Sequence, residues 1–257
     1  MIGRFVVAMS LLAASTLSAQ SPSEPISTDR PDFTESSTLV PRGRVQFESG
    51  VTFSESSRNS GAVKSSTYPE FLFRFGVSNH IELRAGQSFT SIAPTVGQPA
   101  RVTGRDDLYL GFKIGLVEQR GSRPEFAILA QTTLATGDSK TTASGTYPGL
   151  ALLAGWQLAP AWSLALGVEG TRVSGDAYEV TPSASLGRAL SSHLKGYAEL
   201  YTVLPVMSES GAPKPAYANG GLALLLSNNA QIDARIGAGL GGAADRYFFG
   251  FGFGFRR

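Results

Sequence analysis

The chain has 257 residues, 42% hydrophobic and 16% charged, which is too apolar for a disordered polypeptide and long enough for one large β domain or two ordinary ones. A formal charge of +2 gives no broad basic or acidic field, so no nucleic-acid partner is implied. With no cysteine anywhere, disulfides, thiol chemistry and lipid attachment through cysteine are excluded.

Met1 to Arg4, the apolar run Phe5 to Ala14 and the small residues up to Ala19 have the shape of a secretory signal peptide over residues 1–19. The run is shorter than the ~20 residues a spanning helix needs, and no later apolar stretch reaches ~18. Any membrane crossing must therefore be made by strands. Residues 20–43 have no strand period. Within them Asp29, Arg30, Asp32 and Glu35 bracket Pro31 and Phe33. Two readings are open for this segment. It is a solvated periplasmic tail, or it packs in the mouth or lumen, its charges pairing with Arg44, Arg74 or Arg84 and constricting the pore.

From Arg44 onward the period is two. Val45, Phe47, Val51 and Phe53 alternate with Arg44, Gln46, Glu48, Thr52 and Ser54; Phe71, Phe73, Phe75 and Val77 oppose Glu70 and Arg74; Ile81, Leu83 and Ala85 oppose Glu82 and Arg84. The same scheme runs through Leu108 to Leu116 with Lys113 on the polar side, then Phe126 to Leu134, Leu150 to Leu158, and Trp162 to Glu169. It continues through Val180 to Leu186, Leu194 to Tyr201 with Lys195 and Glu199 on the polar side, Leu222 to Leu226, and Ile232 to Leu240 with Asp233 and Arg235 on the polar side. The final strand, Tyr247 to Phe255, sets phenylalanine against glycine, with Phe248 on the glycine side. The count is about twelve.

Connections alternate in length. Short ones at Ser78–His80, Glu118–Pro124, Ala159–Ala161, Ser191–His193 and Ser227–Asn229 interleave with longer polar ones at Glu55–Ser65, Ala93–Gly104, Gly137–Thr146, Val173–Ala177, Pro205–Ala216 and Gly241–Asp245. A soluble β-sandwich also alternates apolar and polar residues. The rhythm of turns and loops, the export signal without cysteine, and aromatics near strand ends (Tyr68, Tyr109, Trp156, Trp162, Tyr178, Tyr247) instead predict an all-β, antiparallel up-and-down transmembrane barrel over residues 44–257.

In that barrel Arg44, Glu48, Glu70, Arg74, Glu82, Arg84, Lys113, Glu169, Lys195, Glu199, Asp233 and Arg235 face inward, since arginine or lysine toward lipid costs ~2–4 kcal/mol at the midplane. They either line a polar channel and set its selectivity or pair across a narrow lumen. The two histidines, His80 and His193, fall in predicted turns, no metal-ligand spacing appears, and Gly237 to Gly242 is a weak glycine pattern; no enzyme activity and no cofactor is implied. Phe255 is the expected insertion signal for the barrel assembly machinery, with Arg256 and Arg257 reaching into the interface beyond it.

The pieces "TDRPDFTES" and "VPRGRVQFESG", followed by "DLYLGFKIGL", "LATGD", "YAELY" and "IDARIGAGL", resemble a family of outer-membrane transporters named for the phenol degradation meta pathway. The resemblance covers essentially the mature chain. It implies a barrel in outer-membrane lipid that passes small, including aromatic, solutes. Asp29, Arg30, Asp32, Phe33 and Glu35 lie in its opening motif.

Overall fold

The computed structural model describes residues 24–58, 61–94, 100–142, 145–174, 177–206, 214–241 and 244–257. The signal-peptide expectation for residues 1–19 lies outside them. Among the described residues the secondary structure is strand alone: β1 (Val45–Arg58), β2 (Gly61–Ser78), β3 (Ile81–Gln87), β4 (Phe89–Ile92), β5 (Val102–Arg105), β6 (Leu108–Val117), β7 (Glu125–Leu134), β8 (Tyr147–Ala159), β9 (Trp162–Ser174), β10 (Ala177–Ala189), β11 (Leu194–Thr202), β12 (Leu204–Val206), β13 (Ala216–Ser227), β14 (Ala230–Gly239) and β15 (Asp245–Arg256).

Three short segments extend a neighbour across a break: β4 continues β3 past Ser88, β5 leads into β6, and β12 continues β11 past Val203. The wall is therefore a closed antiparallel barrel of 12 strands. Each strand pairs with the next, and β1 pairs with β15 to close the ring, Phe47 opposite Phe255 and Phe53 opposite Phe249. Closure leaves unpaired sides only at the short extensions β5 and β12 among the described strands.

The two faces follow the sequence parity. Outside stand Leu83, Leu152, Leu222, Phe251 and Ile236, the last 68% exposed. Inside, Arg74, Glu82 and Lys113 are 0–1% exposed. An apolar belt outside a polar interior is the inverse of a soluble domain, and it is the surface that bilayer hydrocarbon matches.

Several predicted connections are strand instead. β1 and β2 extend through the expected loop Glu55–Ser65 to Arg58 and Gly61. Lys64 there is exposed while the backbone ladder continues, with Ser54 and Ser65 hydroxyls 2.8 Å apart. At 14 and 18 residues these strands exceed the ~9–11 needed to cross a bilayer. The expected loop Val173–Ala177 is likewise mostly strand, and part of Ala93–Gly104 forms β5 paired with β4. Tyr109, counted among interfacial aromatics, turns inward and donates from its hydroxyl to Gln131 Oε1 at 2.9 Å. The short turns behave as turns. Gly121, at φ 59°, sits inside the hairpin closed by Arg120 and Arg123, where a side chain would be strained.

Candidate functional site: a segment threaded through the lumen

The chain before β1 occupies the barrel. It enters at the short-turn end, where Ile26 N–H donates to the Asn228 carbonyl, and leaves at the same end, where Gly43 N–H donates to Gly76. Ile26 and Val40 are each 2% exposed. Having no strand period, this stretch satisfies its backbone groups with side chains from the wall, as a buried irregular chain must.

One flank of the segment is held by ions. Asp29 stands 3.2 Å from Arg74 Nη1, 2.6 Å from Arg84 Nη2 and 3.7 Å from Lys113 Nζ. Burial pushes its carboxyl pKa up, but Arg74, Lys113 and Arg84 together outweigh that and hold it well below the usual carboxylate range. Arg74 also bonds Glu82 through Nε at 2.8 Å and Glu48 through Nη1 at 3.1 Å. It donates as well to the carbonyls of Ser27 and Thr38. Glu48 accepts from Asp29 N–H at 3.0 Å and Arg30 N–H at 3.2 Å, and Glu82 accepts from Val40 N–H at 2.7 Å. Arg84 Nη1 reaches Glu35 at 2.6 Å, and Lys113 Nζ donates to the Ser36 carbonyl at 2.7 Å. The buried charges thus meet opposite charges or backbone dipoles, the condition under which burying them is tolerable.

Arg30 lies along the closing seam beside this flank. Its guanidinium pairs with Glu70 and lies 3.5 Å from Asp233. Gly50 of β1 and Gly252 of β15 leave the floor on which it rests, since a Cβ at either would run into the guanidinium. The phenylalanine–glycine alternation of β15 therefore has a use on each face: rings outward, a groove inward.

The opposite flank is neutral or like-charged. Glu199 accepts from Phe33 N–H at 2.8 Å, from the Thr34 backbone and hydroxyl at 2.5 Å each, and from Asn219 Nδ2 at 2.5 Å. Ser185 Oγ donates to Asp32 at 3.1 Å. No cation forms an ion pair with Asp32 or Glu199 among the described residues. Burial, and then the Glu199 carboxylate, push the Asp32 pKa up to about 8. A cavity of about 770 Å³ opens toward the short-turn end beside this flank, lined by Asp32, Ser185, Lys195, Tyr197, Gln231 and Trp156 among others.

Of the remaining inward positions of the sequence reading, the Arg235 side chain also touches the segment. Glu169 accepts from Gln131 and Thr171 at 2.6 Å each, and Arg235 donates to the Pro31 carbonyl at 3.2 Å. Arg44 is half-buried at the foot of β1, and Lys195 is exposed at the short-turn rim. His80 and His193 occupy exposed turns. Among the described residues no group of three or more histidines or acids is arranged to hold a metal ion.

Parity reasoning overlooked two features. Leu129 and Leu153 form an apolar patch on the inner wall with Ala127 and Ala151, on which Leu39 of the segment packs. The signal lay in unbroken apolar runs of β7 and β8, where both parities are hydrophobic. Arg256 does not reach into the outer interface as expected. It turns inward and donates to Asn229 Oδ1 at 3.0 Å and to the Glu24 carbonyl at 2.5 Å, because it holds the same parity as Gly254. Phe255 faces outward, 49% exposed.

Solved structures with this architecture include the COG4313 outer membrane channel from Pseudomonas putida F1, at 12% identity over 90% of this chain and 100% of that one, TM-score 0.65. They also include the NanC porin, at 8% identity over 82% and 98%, TM-score 0.53, and the translocator domain of the autotransporter NalP from Neisseria meningitidis, at 12% identity over 82% and 87%, TM-score 0.51. At such identities the likeness is one of fold. No curated protein matches the chain. A family model, in contrast, matches residues 28–256, from the threaded segment through the closing strand, and the chain belongs to the family described as "Putative MetA-pathway of phenol degradation".

Proposed function

We propose that this chain is exported, its residues 1–19 being removed, and that it resides in the bacterial outer membrane as a passive channel or carrier for small molecules, aromatic compounds included. The observation that carries the reading is a lipid-matched barrel whose charged lumen is narrowed by its own residues 24–43. The fold of outer-membrane channels and porins supports it, and the family description supports the aromatic class of solute. Inward side chains on both sides of the segment, from Glu48, Arg74 and Arg84 to Glu199 and Arg235, set what passes. With cations and anions interleaved, they favour no single sign of ion. Phe255, outward at the end of β15, is the aromatic that the barrel assembly machinery recognises.

A second reading has its own support. The density of ion pairs around Asp29 also suits a barrel held shut, with a structural or adhesive role. Solute flux into liposomes separates the two. The intact chain should admit small uncharged solutes slowly, and a variant lacking Thr28 to Ser36 should insert as a heat-modifiable barrel and admit them faster. An inserted deletion variant with no gain of flux would leave the structural reading standing.

A further inference from the structure

The threaded segment places one aromatic ring where packing does not use it fully. Phe33 stacks on Tyr201 with centroids 4.1 Å apart and planes at 9°, and Tyr201 in turn stacks on Tyr217 at 4.8 Å and 16°. Tyr217 then meets Phe248 edge-on at 6.2 Å. Tyr201, Tyr217 and Phe248 all occupy inward positions, Tyr201 opposite Tyr217 in the register of β11 and β13. The outer aromatics pack pairwise: Phe47 meets Phe71 and Phe73 at tilts of 35° and 41°, and Phe53 lies on Phe249 at 5.1 Å and 26°. The inner set carries a near-parallel stack through three rings.

This ladder is open at one end. Phe33 is 38% exposed although it lies inside the barrel, and it does not line the cavity at the short-turn end. Its stacking partner Tyr201 sits near the long-loop end of the wall, where β11 ends and β13 begins, so the free surface of Phe33 lies toward that mouth. Behind it the backbone is fixed, since Phe33 N–H and both Thr34 donors are held by Glu199. A rigid, partly wet aromatic face at the end of a parallel stack suits another ring, because offset stacking needs a planar partner and costs no new ordering of the protein. The Glu199 carboxylate behind the stack and the Arg235 guanidinium 5.6 Å from the Phe248 ring oppose each other, so the field there favours neither an anion nor a cation.

We propose that Phe33, Tyr201 and Tyr217 form a binding site for an uncharged planar aromatic ring entering from the long-loop mouth, the ring stacking on the open face of Phe33. The site rests on the reading of the chain as a conduit and gives that reading its recognition element: selection is for flatness, not for hydrophobicity alone. Phe33 is then a ligand contact as well as an anchor for the segment.

The test pairs two probes of similar size, phenol and cyclohexanol, titrated by ligand-observed NMR into the full barrel in lipid nanodiscs with the empty-nanodisc signal subtracted. The native chain should saturate with phenol and bind cyclohexanol about tenfold more weakly, the ratio expected of one stacking contact. Phe33→Leu keeps an apolar anchor but removes the plane, and should lower phenol affinity about tenfold while cyclohexanol binding is unchanged. Equal binding of the two probes, or phenol binding that survives Phe33→Leu, overturns the proposal. Because Phe33 lies off the barrel wall, its leucine variant keeps the test usable even if Tyr201→Leu fails to assemble. Flux in liposomes is scored separately. Ring binding without flux would uphold the site and reject the conduit, and flux without ring binding would do the reverse.

Discussion

The two flanks of the threaded segment are held by different forces. Toward β1, β2, β3 and β6 every main contact pairs opposite full charges or sets a full charge against a backbone dipole: Asp29 among Arg74, Arg84 and Lys113, Glu35 on Arg84, backbone N–H groups on Glu48 and Glu82. Toward β10, β11 and β13 the same chain is held by Ser185, by a carboxylate that accepts four hydrogen bonds, and by stacked rings, beside an open cavity. Charge pairs fix the segment's position on one side. Weaker, titratable contacts leave the other side able to respond to conditions.

If the comparison holds, the largest effect comes from the charged flank. Arg74→Met removes the cation shared by Asp29, Glu48 and Glu82: Glu48 loses its ion pair outright, while Asp29 keeps Arg84 and Lys113 and Glu82 keeps only the longer contact to Arg84 at 3.8 Å. A loss of ~3–5 kcal/mol is expected, read as a lower urea midpoint of the refolded barrel or as loss of the heat-modifiable band. The other flank should yield less. Glu199→Gln keeps the shape but weakens the bonds from Phe33 and Thr34, at a cost of ~1–3 kcal/mol confined to the segment. Hydrogen exchange at those two amides should quicken while exchange in the strands does not change. A global loss of stability would mean that the two flanks are not separable.

The Asp32 prediction sharpens the contrast through pH. Seated, Asp32 keeps its proton up to about 8, whereas released into water it loses it near the ordinary value of 3.8. The seated form therefore binds more protons. Seating is strongest at low pH, weakens by up to tenfold per unit as pH rises through that window, and changes little beyond it. The groups facing this carboxyl are Ser185, Glu199, Asp29 and Tyr197. Conductance of the native barrel should rise from acid toward pH 8, and Asp32→Asn should flatten the rise. A rise of equal steepness in the asparagine variant would assign the dependence to another group. The smallest effect is expected far from either flank. Lys64, 3.7 Å from Glu55 with its side chain 68% exposed, should change stability by less than ~1 kcal/mol on replacement by alanine.

How much of this could be read beforehand differs between wall and filling. Strand periodicity places Arg74, Glu82, Arg84 and Lys113 inward because lipid outside allows no other parity, and the same rule turns Phe251 and Ile236 outward. Periodicity says nothing of residues 24–43, which have none. That Asp29 meets three cations at once while Asp32, three residues on, meets none follows from the path of an irregular chain through a closed space. Leu39 on Leu129 was hidden for a related reason: a strand apolar on both faces gives no parity to read. Loop lengths misled at Glu55–Ser65, where polar composition suggested a loop and hydrogen-bond pairing carried the strands on.

The floor beneath Arg30 has a consequence in time as well as in space. Gly50 belongs to β1 and Gly252 to β15, strands separated by the whole sequence and brought together only by the ladder that closes the ring. Until that ladder forms, the groove has half a floor. The acidic and basic partners of Asp29 and its neighbours stand on β1, β2, β3 and β6 without the seam, but the bed for Arg30 exists only once the seam is closed. Seating of Arg30 and closure of the seam are therefore coupled, and an alanine at Gly252 would act as a wedge in the joint between β1 and β15.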